Sequence, residues 1–340
     1  MPGAGRWSST GPDSGGSPRT SERKSDMPTS RRRLLIGAAG AAFLAGCGGE
    51  DTGSGAAPGK LRIGYQRFGG LSLSKARGDA ADAEWSLFES GPALTEALKA
   101  GAIDIGQTGE APPIFAAAGK INFKIIGTSE PVPQGEAVLV KAAKGYQTFA
   151  DLKGRTVALN KGSNVNWLLV KLLEQANLSI TDINVKYLKP AEGRPAFDSD
   201  QVDAWIIWDP YFALAEQPGV QILADATGLA NNREYLLAAP DAVTGKTALI
   251  KDFLTRYRAT TDWGIANAAE RAKFLAPELK IDEATTTRAL ARSAKPLAPI
   301  TPEIGAELQA IADGFTKLEL IPGQVDIRSR IDEQFNQAFL

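Results

Sequence analysis

From Lys60 onward short apolar runs alternate with stretches of helical periodicity, and that alternation confines the chain to an α/β architecture. Leu61–Gln66, Ile103–Gln107 and Phe123–Gly127 read as strands, separated by an amphipathic helix at Gly91–Ala100 and a second helix at Ala111–Ala118. A second series follows. Thr156–Asn160, Ile183–Leu188, Ala204–Trp208 and Val220–Ala224 read as strands, and Val165–Ala176 as a helix with Trp167, Leu168 and Leu172 on its apolar side. Beyond about residue 240 the pattern is helical, at Ala248–Ala268, Glu283–Arg292 and Pro302–Leu318. Two α/β series and a helical tail predict two open sheets joined by a hinge. Such sheets bind ligands in the crevice beyond the carboxyl ends of their strands.

The 340 residues exceed what one typical core needs, consistent with two lobes. A net charge of −1 gives no support to nucleic-acid binding or to general attraction to acidic membranes. The chain has no histidine, which removes the commonest general base and the commonest zinc ligand. Its one cysteine, Cys47, excludes an intrachain disulfide, and the acidic residues lack metal-ligand spacing. No metal or cofactor is expected.

Arg31-Arg32-Arg33 followed by an apolar run to Ala45 reads as an export signal. The run is too short to cross about 30 Å of hydrocarbon. The paired arginines resemble a twin-arginine signal, and Leu44-Ala45-Gly46-Cys47 resembles a lipobox, in which the cysteine becomes the lipidated first residue. An ordinary cleaved signal with an incidental cysteine is the plainer alternative. Residues 1–26 are rich in Gly, Ser and Pro, so either Met1 or Met27 can be the start. Residues 48–59, rich in Gly, Ser and Ala, read as a flexible tether.

Five segments that follow strands are rich in small and hydrogen-bonding residues: Gln66–Gly70, Thr108–Pro113, Pro133–Glu136, Asn160–Asn164 and Trp208–Tyr211. Each alone can be turn chemistry. Ser163 or Asn164 suits a helix N-cap, and the same helix start, opened by Gly162, suits an anion. Glu110 can complement a helix dipole or meet a ligand hydroxyl or amine. Trp205 reads as core and Trp208 as a wall for an alkyl tail. Arg194 can neutralise an anion or sit ion-paired on the surface. None of these forms a catalytic constellation or a nucleotide loop.

Taken together and in order, Leu61–Gln66, Gly109-Glu110-Ala111-Pro112-Pro113, Gln134-Gly135-Glu136-Ala137, Leu159–Asn164 and Val202–Trp205 with Trp208-Asp209-Pro210 resemble the aliphatic-sulfonate-binding proteins of ABC importers, within the nitrate/taurine/thiamine-precursor-binding superfamily. The likeness runs from about Leu61 to Leu340. It implies a type II periplasmic-binding-protein fold, with residues 60–140 and 236–340 in lobe 1 and 141–235 in lobe 2. It implies a monomeric, non-enzymatic receptor outside the membrane, tethered by lipid at Cys47, that passes an organic anion to a permease and ATPase. Carried across, the ligand-binding positions are Gln66, Thr108, Gly109, Glu110 and Gln134 on lobe 1, and Gly162, Ser163, Asn164, Trp208 and Asp209 on lobe 2. In one place the sequence departs from the pattern: after Gly78 it is shorter than relatives, which shortens the first helix near the cleft.

Three other readings stay open. Taurine, nitrate, a sulfate ester or a pyrimidine precursor could be the ligand on the same fold. An enzyme would use Glu110 or Asp209 as acid or base, and a tethered sensor or adhesion module would have a degenerate pocket.

Overall fold

The two α/β series form two separate sheets, and the chain passes between them twice. The computed structural model describes residues 59–293 and 296–340; the leader, Cys47 and nearly all of the tether lie outside the described residues. The first series runs β1 (Arg62–Gln66), α1 (Gly70–Arg77), β2 (Glu84–Phe88), α2 (Gly91–Lys99), β3 (Ile105–Gly109), α3 (Ala111–Ala118) and β4 (Lys124–Ser129). The second runs β5 (Glu136–Lys141), β6 (Thr156–Leu159), α4 (Val165–Gln175), β7 (Asn184–Tyr187), α5 (Pro190–Asp198), β8 (Ala204–Trp208), α6 (Tyr211–Ala215) and β9 (Val220–Asp225). The chain then returns as β10 (Glu234–Ala238), α7 (Pro240–Gly245), α8 (Thr247–Ala266), α9 (Ala268–Leu279), α10 (Glu283–Ala291), β11 (Leu297–Ala298) and α11 (Pro302–Lys317).

The first sheet has the order β11-β4-β10-β3-β1-β2, and the second β7-β6-β8-β5-β9. The β1–β2 and β1–β3 pairs are parallel, whereas β10 runs antiparallel between β3 and β4. In the second sheet β5 is antiparallel to both β8 and β9. Parallel strands are covered on both faces by helices, which is why Ile63, Ile105, Val157 and Ile206 are wholly buried. One core layer joins α2, α3 and α11 to the first sheet, and another joins α8 to its opposite face.

The two crossings, 130–135 and 226–233, lie side by side. Val132 N–H donates to Asn231 O at 2.8 Å, and Asn232 Nδ2 donates to Val132 O at 2.9 Å. Two short bonded strands are the only covalent route between the sheets, an arrangement suited to hinge motion.

Several sequence readings change. Glu136 opens a strand, since its backbone pairs with Trp208 and its side chain is wholly buried. Neither β10 nor α5 carries a clear period; α5 even holds Pro195 in its interior. Trp167 keeps its place against the cluster of Leu168 and Leu172 and also packs edge-on against Phe315 of α11, with centroids 5.6 Å apart. It thereby touches the half of the molecule built on the other sheet.

Candidate functional site

Helices α3 and α4 both begin beside one pocket that lies between the two sheets. Its walls include Gln66, Phe68, Thr108, Gly109 and Pro112 from the first series, and Ser163, Asn164, Trp208 and Asp209 from the second. Val132, Gly135 and Asn232 of the crossings complete it, together with Glu234, Arg292 and Ser293.

Neither helix start is capped by a side chain. The N-cap role expected of Ser163 or Asn164 is not taken up, because the chain already turns helically at Asn164. Ser163 Oγ donates back to Asn160 O at 2.7 Å, which holds the loop rather than the helix. Asn160 O also accepts from Asn166 Nδ2 at 2.7 Å. Ala111 N–H of α3 is taken by a side-chain oxygen from across the gap, and Asn166 and Trp167 N–H of α4 by Ser163 O and Asn164 O, so at both starts it is the helix dipole that favours an anion.

Asn164 spans the gap between the halves. Its Oδ1 accepts from Ala111 N–H at 3.3 Å, and its Nδ2 donates to Asn232 Oδ1 at 2.6 Å. Its amide lies flat on Gly109, where a β-carbon would overlap it. Gly162 has φ +75°, a conformation other residues adopt at a cost, and lies under Phe115 and Pro92 across the gap.

Of the expected site residues, Gln66, Thr108, Gly109, Ser163, Asn164, Trp208 and Asp209 share the pocket. Glu110, Gln134 and Gly162 are not in its wall. Gln134 is exposed on a short 3₁₀ turn, and its neighbours Val132 and Gly135 face the pocket instead. Glu110 turns inward: it is 1% exposed, and its Oε2 accepts from Arg233 N–H at 3.2 Å while Oε1 has no partner. Burial pushes its carboxyl up to about 7, opposed by amide donors of Arg233 and Asn232. Glu136, with both oxygens unpartnered, is raised well above the usual range by burial and by Glu110.

Arg292 lines the pocket and is a charged residue there that the sequence did not reveal. Its Nε donates to Asp209 Oδ2 at 2.9 Å and its Nη2 to Glu216 Oε2 at 2.9 Å, with the guanidinium 3.8 Å over the Phe212 ring. Burial raises Asp209 to about 6 even so. Asp209 Oδ1 also accepts from Ala213 N–H at 3.0 Å, and its own N–H donates to Gly135 O at 3.0 Å. Arg194, by contrast, bonds Asp198 at 2.6 Å and Leu214 O at 2.7 Å away from the pocket. No group of three or more metal-ligating side chains occurs among the described residues.

The family model described as NMT1/THI5 like matches residues 89–271. A relative from Escherichia coli strain K12, named as an aliphatic sulfonates-binding protein, is 38% identical over 291 residues, covering 81% of this chain and 89% of its own. The chain belongs to the NMT1/THI5-like family, among the aliphatic sulfonate-binding proteins. Two solved members of that group share its architecture. The alkanesulfonate-binding protein SsuA of Xanthomonas axonopodis pv. citri, bound to MOPS, superposes with a TM-score of 0.77 at 32% identity, covering 82% of this chain and 99% of that one. The periplasmic aliphatic sulphonate binding protein SsuA of Escherichia coli gives a TM-score of 0.74 at 36% identity, covering 81% and 92%. The fold is the two-lobed periplasmic-binding-protein type, with helices at its C-terminal end. This chain's short stretch after Gly78 is accommodated: α1 has eight residues and closes on Gly78 at φ +73°. The β2 strand still pairs with β1 along all five positions.

Proposed function

We propose that this chain is an extracytoplasmic receptor that captures an aliphatic sulfonate in the cleft and hands it to an ABC importer. The observation that carries the reading is that two helix starts uncapped by their own N-cap side chains, α3 and α4, meet at one pocket from different sheets, with Asn164 bridging them. A sulfonate offers three acceptor oxygens and stays ionised at any physiological pH, so amide N–H groups can hold it without proton transfer. Neutral donors also avoid the several-kcal/mol cost of burying a full counter-charge. Phe68 and Trp208 supply an apolar wall for the carbon tail.

Because the donors belong to two halves joined only by the crossings at 130–135 and 226–233, ligand stabilises the closed state selectively. A permease and its ATPase then have a closed receptor to read. Export, with a lipid on Cys47 as the sole membrane attachment, and a monomeric state belong to the same proposal. So does the absence of turnover, since the pocket's Asp209 is engaged by Arg292 and Glu110 turns away. No described helix is long and apolar enough to cross a membrane.

A thermal-shift screen against alkanesulfonates, taurine, sulfate esters and nitrate tests the reading. Stabilisation by an alkanesulfonate that is recovered unchanged is expected. Turnover, or a response confined to another anion class, would overturn it.

A further inference from the structure

Glu234 opens β10, and its backbone pairs with Gly109 at the strand ends of the first sheet. Successive strand residues face opposite sides. Tyr235 packs in the layer that holds Ala111 and Ile114 of α3, whereas Leu236 packs in the layer that holds Tyr257 of α8. Glu234 therefore shares the face of Leu236, away from the start of α3, and its side chain lines both the main pocket and a small chamber behind it.

Gly70, Tyr257, Thr261 and Arg271 form that chamber with Glu234 and Ser293. Arg271 is 6% exposed, its Nε has no partner, and its Nη2 reaches Ser293 Oγ at 3.4 Å. A buried guanidinium thus stands behind the carboxylate and favours its charged form. Burial pulls the other way and raises Glu234 to about 7. At the front, Asp209 and Arg292 neutralise one another. Glu234 makes no ion pair within 4 Å among the described residues; its neutral partners are the Gly70 amide and the Gln107 side chain, and it lines the main pocket.

A carboxylate with no ion-pair partner at the front opposes a simple anion but matches a dipolar one laid across the strand ends. Resting on the sulfonate reading above, we propose that Glu234 selects sulfonates that carry a cationic amine at the far end of the tail. The anionic end lies at the starts of α3 and α4, and the ammonium donates to the Glu234 carboxylate on the other face of the sheet.

Calorimetry with two near-isosteric probes tests this, 3-aminopropane-1-sulfonate and butane-1-sulfonate, on the wild-type chain and on Glu234→Gln. In the wild type the amino probe is expected to bind about tenfold more tightly, a difference of about 1.4 kcal/mol. The substitution is expected to weaken the amino probe about tenfold and to tighten the alkyl probe, because one loses a partner and the other a repulsion. Parallel shifts of both probes, or none, would overturn the assignment while leaving sulfonate capture intact. Should Glu234→Gln not fold, tighter binding of butane-1-sulfonate by the wild type would overturn it as well. Binding of neither probe would overturn the assignment together with the sulfonate reading.

Discussion

The Asn164 amide rests directly against Gly109, so that a side chain from one half of the molecule fills the space a β-carbon on the other half would need. Here the closed arrangement leaves no tolerance. Asn164 also ties Ala111 to Asn232, so moving it disturbs a helix start and a crossing together.

Gly109→Ala should therefore impair closure more than folding. Its φ/ψ lies on an ordinary strand, so alanine is tolerated by the backbone. Ligand affinity is expected to fall about tenfold or more, with a melting temperature within a few degrees of wild type. Paired calorimetry and thermal melts check both. An unchanged affinity would mean that Asn164 and Gly109 need not meet.

Asp209 and Arg292 give a second prediction. Removing Arg292 leaves a carboxylate that is 4% exposed without its counter-charge. Loss of one partner from a buried pair typically costs about 3–5 kcal/mol, and the partial exposure of Arg292 places Arg292→Met toward the lower end. The loss should shrink at pH 5, where Asp209, raised to about 6, is largely protonated. Denaturant titrations at pH 5 and pH 7.5 would show it. An equal loss at both would contradict the pairing.

Much of the fold could be read in the chain and part of the site could not, for a physical reason. Strands such as Ala204–Trp208 announce themselves as apolar runs, and helix starts such as 163–165 by small polar residues. The β10 strand does not, because it enters the first sheet between β3 and β4 from more than 100 residues away, and nothing local marks such an insertion. Arg292 was hidden likewise. It ends a helix whose sequence reads as surface, and only the tertiary fold brings it to Asp209. Gln134 sits on an exposed 3₁₀ turn, where its neighbours Val132 and Gly135 line the pocket, a placement that no local pattern marks.

Stability should fall as pH rises toward neutrality. Glu110 is raised to about 7 from an unfolded value near 4.5, so the folded state binds more protons across that window. Its stability contribution is full below the unfolded value and is lost as pH rises through about 7, on the order of 3 kcal/mol in all. Asp209 acts in the same direction. Thermal melts at pH 5 and pH 8 should show the higher midpoint at pH 5. Glu110→Gln should flatten the difference; a profile rising with pH would contradict these burials.

The proposed lipid anchor is separable from the rest. Cys47→Ala should move the protein from the membrane fraction to the soluble extracytoplasmic fraction without altering ligand binding. Undiminished membrane retention would rule the anchor out, and fractionation with immunoblotting reads the result.

The most direct measurement is a crystal structure of the chain with butane-1-sulfonate. The account predicts sulfonate oxygens within about 2.7–3.2 Å of backbone N–H groups at the starts of both α3 and α4, with the tail along Phe68 and Trp208. A sulfonate held by one wall alone, or by Arg292 with Asp209 displaced, would contradict it.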